Sequence, residues 1–80
     1  MELRGIGPAL VCSYLVELGG QQVDAETVVG PGWSARVVKL PPARIGALQL
    51  GRTHVSIQGE PEALDRLIER FRRKVLRAGG

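Results

Sequence analysis

Gly46-Ala47-Leu48-Gln49-Leu50-Gly51-Arg52-Thr53-His54-Val55-Ser56-Ile57 alternates polar and apolar residues on both sides of a glycine. Alternation at a period of two marks strands with one buried face. Gly51 stands first in a two-residue loop, the place where a type II′ turn needs a positive φ that glycine adopts freely. The predicted hairpin pairs Leu50 with Thr53, Leu48 with Val55 and Gly46 with Ile57 on the core face. Gln49 then meets His54, and Ala47 meets Ser56, on the other face.

Upstream, Val23, Ala25, Thr27 and Val29 alternate with Gln22, Asp24 and Glu26, and Val28 interrupts the polar side. After Gly30-Pro31-Gly32, the apolar set Trp33, Ala35 and Val37 alternates with Ser34 and Arg36. A three-residue loop sets Val29 against Trp33 and Glu26 against Arg36, so both faces agree. A four-residue type II turn centred on Pro31 and Gly32 sets Glu26 against Val37 and mixes the faces, so the first register is expected. Pro41-Pro42-Ala43-Arg44 reads as an extended link between the two hairpins. A short extra strand fits at Glu2 to Ile6.

Helices flank the strands. Pro8 after Gly5-Ile6-Gly7 suits the first helical position, where a missing N–H costs nothing, and Gly19-Gly20 closes the helix. Val11, Cys12, Leu15 and Leu18 share its apolar side, with Ser13 and Glu17 opposite. Leu64, Leu67, Ile68, Phe71 and Val75 repeat at helical spacing after Pro61, acids cluster early and bases late as the helix dipole favours, and Gly79-Gly80 is the expected stop. The expected architecture is one α+β domain over residues 1–80. It is a two-layer sandwich in the order helix, four antiparallel strands as two hairpins, helix, with both helices on one face of the sheet.

Eighty residues leave room for one core only. Composition of 44% hydrophobic and 24% charged residues is that of a folding chain. The longest apolar run, Ala9 to Cys12, followed after Ser13 by Tyr14 to Val16, is too short for a membrane span, and Glu2 before it and Glu17 after it argue against a secretory signal. The lone Cys12 forms no internal disulfide and pairs with no second thiol for a metal, which suits a reducing cytoplasm. Nine arginines against two lysines and the absence of Asn fit a GC-rich genome and are compatible with a thermophile.

For function, the sequence offers weak constellations. Arg66, Arg70, Arg72, Arg73, Lys74 and Arg77 are candidate anion or nucleic-acid ligands, because guanidinium groups grip phosphates. Glu62 and Glu69 precede Arg66 and Arg73 by four residues, however, and a self-paired, solvated helix face is the simpler expectation. His54 falls on a polar sheet face with Ser56, Gln49, Gln58 and Arg36, with no carboxylate assigned beside it and no serine paired to it. Cys12 reads as a small core hydrophobe. The aromatics Tyr14, Trp33 and Phe71 are assigned to the core side, so the sheet lacks a platform for stacking bases. Leu10, Val16, Val28, Val38, Leu40 and Ile45 are expected to remain exposed, and uncovered apolar surface implies an interface. The leading expectation is a non-catalytic interaction or self-association module that forms a homodimer or docks on a protein partner, without metal or cofactor. The alternatives are a nucleic-acid-binding accessory domain and an enzyme subunit completed by another chain.

Overall fold

A computed structural model describes the backbone of residues 1–79 and the side chains through Leu76. The elements are β1 (Glu2–Arg4), α1 (Pro8–Glu17), β2 (Gln21–Gln22), β3 (Thr27–Gly30), β4 (Trp33–Ile45), β5 (Leu48–Gly59) and α2 (Pro61–Gly79). The expected stop at Gly79-Gly80 falls where the described residues end. The strands form one sheet in the order β1-β5-β4-β3-β2, every neighbouring pair antiparallel. The α+β class and the antiparallel sheet agree with expectation; the strand count is five, because Glu2–Arg4 adds to the β5 edge, the expected strand at 22–29 divides into β2 and β3, and the two strands expected on either side of Gly51 are the single strand β5.

The C-terminal hairpin differs most. Its turn lies at Gly46-Ala47, with Ile45 opposite Leu48, and β5 runs unbroken through Gly51 and Arg52. Gly46 takes φ +62° while Ala47 stays negative, so the type II′ rule holds five residues earlier than the sequence suggests. The register becomes Val37 opposite Val55, Val38 opposite His54 and Leu40 opposite Arg52. Pro41 and Pro42 are part of β4 rather than a link between hairpins, and a bulge between Leu40 and Ala43 absorbs them. Arg52 Nε donates to the Pro41 carbonyl at 2.7 Å, giving the displaced backbone oxygen a partner.

The first hairpin takes the register that mixes the faces. Gly30 pairs with Trp33, Val29 with Ser34 and Val28 with Ala35, and the Val37 N–H donates to the Glu26 carbonyl. Pro31 and Gly32 form the turn, with φ +77° at Gly32. The indole of Trp33 decides this: a Cβ at Gly30 would lie 2.2 Å from the ring and one at Gly20 would lie 2.7 Å from it. Only with glycine opposite can the indole fold inward. Val28 is therefore fully buried, which removes it from the candidate interface, and Val29 turns to solvent.

Trp33, Ala35, Val37 and Val55 face the helices and join one cluster with Val11, Cys12 and Leu15 of α1 and Leu67 and Phe71 of α2. Both helices thus cover one face of the sheet. Each fully buried side chain of this size contributes about 1.5–3 kcal/mol by leaving water. The buried Thr53 donates its hydroxyl to the Ile6 carbonyl at 2.6 Å, tying β5 to the turn before α1.

Candidate functional site

Because β5 has no bulge, its residues alternate strictly between faces. Thr53 and Val55 point to the helices, so Leu48, Leu50, Arg52, His54 and Ser56 point away from them. Their partners Ile45, Ala43, Leu40, Val38 and Arg36 lie on the same outer face. Beyond Leu40 and Arg52 neither β3 nor β1 continues, and β4 and β5 extend alone as a two-stranded arm. The arm accounts for an elongated body of 42 × 25 × 19 Å. On its outer face Leu48 is 68% exposed, Ile45 54% and Leu50 36%. Val38 and Leu40, half-buried, continue the apolar strip toward the body of the sheet.

The strip reaches a polar patch. Glu2 accepts from Arg4 Nε at 3.2 Å and from an Arg52 terminal nitrogen at 3.4 Å. Glu2 also stands directly across from His54, so a carboxylate does neighbour the histidine, through a strand whose pairing partner the sequence did not reveal. His54 Nε2 and Ser56 Oγ are 3.0 Å apart, a pairing that sequence reasoning missed because it needs only that two residues share one strand face. The pair lies on one face of β5, with His54 half-buried and Ser56 exposed.

The structure divides the six candidate interface residues. Val38, Leu40 and Ile45 share the outer sheet face, Leu10 and Val16 are exposed on α1 in the opposite layer, and Val28 is in the core. Leu48 and Leu50 complete the strip, although the Gly51 turn had assigned them to the core. Their signal was the sequence Ile45-Gly46-Ala47-Leu48, whose turn sets both leucines outward.

The basic residues separate as well. Arg73 pairs with Glu69 at 2.6 Å, and Lys74 reaches Glu17 at 2.9 Å while sitting 5.9 Å from the centre of the Tyr14 ring. Arg72 lies beside Met1, Leu3, Val75 and Leu76. Arg66 and Arg70 border a separate groove against Leu18, Pro31 and Trp33. The Arg77 side chain lies outside the described residues. Cys12 is buried and its thiol pKa is pushed up, first by burial and then by the charge of Asp24, so it packs rather than reacts. Among the described residues no three His, Cys, Asp or Glu side chains gather as a metal site, and no helix is long and apolar enough to cross a membrane.

Comparison with curated proteins gives no match. The family described as archaeal MoaD-like protein matches residues 1–80, the whole of the sequence. With that match over its full length, the chain belongs to the archaeal MoaD-like family.

Proposed function

We propose that the protein is a non-catalytic docking module whose contact surface is the outer face of the β4–β5 arm, and that the occupant of this surface is a second copy of the chain. One observation carries the reading: Ile45, Leu48 and Leu50 stand exposed together on a two-stranded ribbon that nothing else among the described residues covers. An isolated two-stranded ribbon is marginal in water and gains most from a surface laid against it. Identical apolar strips satisfy the self-complementarity that a two-fold interface requires. A stable interface needs about 800 Å² per partner, roughly one-seventh of the chain's 5355 Å² surface. Membership of the family agrees with a role without chemistry of its own, since MoaD-like proteins are small sulfur carriers that work with partner proteins. If sulfur is the cargo here, the buried Cys12 is a poor place for it.

Sedimentation equilibrium tests the reading. The wild-type chain is expected to be dimeric at about 100 μM, and an Ile45→Lys, Leu48→Lys variant monomeric with unchanged circular dichroism. A monomeric wild type at that concentration refutes self-association, and a dimer that survives both substitutions refutes the arm as its surface.

A further inference from the structure

Between the first half of α2 and the β3–β4 turn lies a groove of about 230 Å³, lined by Leu18, Pro31, Trp33, Ala63, Leu67 and the guanidinium-bearing Arg66 and Arg70. It lies on the helix side of the sheet, apart from the arm. Its walls are apolar except for the two arginines. Neither arginine has a carboxylate within 4 Å among the described residues: Glu69, the acid between them in sequence, is held by Arg73, and Glu62, four residues before Arg66, forms no ion pair with it. Arg66 and Arg70 are four residues apart on a helix, which places them as neighbours on one face, at the spacing that lets two forks converge on one anion. Trp33 supplies the floor: the residue is 6% exposed, and its ring is fixed by the glycines at 20 and 30. Among the described residues no group accepts from the indole N–H, yet Trp33 contributes no buried polar atom that lacks a partner, so that nitrogen keeps access to solvent.

An apolar floor with a fixed aromatic ring and two uncompensated guanidinium groups at its rim matches a ligand with two ends. We infer that this groove binds a small anion with an apolar body, a carboxylate or phosphate monoester whose head meets Arg66 and Arg70 and whose hydrocarbon lies on Leu18, Pro31 and Trp33. The volume falls below the roughly 300 Å³ at which drug-sized pockets begin, so the ligand is of fragment size. Neither half is sufficient alone. A bare anion gives up the apolar wall, and exposed arginines hold inorganic ions weakly against water; a neutral hydrocarbon gives up the charge.

Trp33 is the only tryptophan, so its emission reports on the groove directly. The full chain is titrated with octanoate and octyl phosphate, with octanol and inorganic phosphate as controls, and amide shifts of Leu18 and Ala63 locate the binding. Expected are saturable changes with a Kd of about 0.1–1 mM, a range suited to a ligand of roughly ten non-hydrogen atoms. Octanol and phosphate should bind at least about tenfold more weakly, and an Arg66→Gln, Arg70→Gln variant should lose about tenfold or more while its thermal melt is unchanged. Arg66→Lys, Arg70→Lys should recover part of the loss, since charge returns without the planar fork. The tighter of octanoate and octyl phosphate assigns the head group. Absence of a saturable response up to about 10 mM, equal binding of octanol, or full affinity in the glutamine variant would each overturn the inference.

Discussion

Replacing Phe71 by alanine removes the one aromatic ring that α2 contributes to the core, and its effect can be worked from the surroundings. Phe71 has no exposed surface and belongs to the cluster of Val11, Leu15, Val37, Val55 and Leu67. Phenylalanine truncations of this kind cost about 3–5 kcal/mol, the sum of lost transfer energy and the cavity left behind. Beside the ring runs a shallow groove lined by Met1, Leu3, Arg72, Val75 and Leu76. Water and the flexible Met1 and Leu76 side chains can enter the vacated space from there, so the loss should fall near the lower figure. A domain of this length holds about 4–12 kcal/mol in total. With a urea slope of about 1 kcal/mol per molar, the unfolding midpoint should drop by roughly 3 M. Urea titration followed by circular dichroism and by Trp33 emission gives the number, and Leu76→Ala, at a residue 74% exposed, should move it by less than about 0.5 kcal/mol. A Phe71→Ala loss below about 1 kcal/mol would refute the reasoning: α2 would not be held to the sheet through this ring.

Thr53→Val keeps the shape of a buried side chain and deletes the 2.6 Å hydrogen bond to the Ile6 carbonyl, so a loss of about 1–3 kcal/mol in urea unfolding is expected; no loss would mean that the carbonyl finds water. Gly30→Ala would drive a methyl group into the Trp33 indole, and thermal unfolding should show about 1–3 kcal/mol of destabilisation together with a shifted Trp33 emission. Cys12 should react with a thiol reagent at pH 8 only as fast as the core opens, much more slowly than the same thiol in urea, because it is 1% exposed and its pKa is raised.

The helices were legible because each carries its own evidence: Pro8 after Gly7 opens one, and Leu67 with Phe71 marks the buried stripe of the other. The strand registers were not, for a physical reason that repeats. Two glycines, Gly46 and Gly51, can each head a II′ turn, and local pattern alone does not choose between them. The choice follows from β1 and β4, which flank β5 on its two sides: Arg4 and Leu40 both pair with Arg52, which keeps the chain extended at Gly51, and β4 runs on to Ile45 before it reverses. At the other hairpin, agreement of the alternating faces favoured Val29 as the core residue. The indole of Trp33 outweighed it, since its bulk requires Gly30 opposite and so turns Val28 inward. The candidate surface inherits both errors: Ile45, Val38 and Leu40 were foreseen as exposed, Leu48 and Leu50 were not, and Val28 was misplaced.

The bulge at Pro41-Pro42 gives the arm a handedness of use. On the β4 side two consecutive residues have no N–H to offer, and Arg52 already takes the Pro41 carbonyl, so a foreign strand finds few groups to ladder onto. On the β5 side Gly51 offers its carbonyl to the Gly5 N–H, and Gln49, two residues along, directs its own backbone groups the same way with nothing opposite among the described residues. The arm therefore has a valence of one. A strand laid along the arm would find its partners on β5, and the proline margin of β4 leaves little for a further strand to ladder onto.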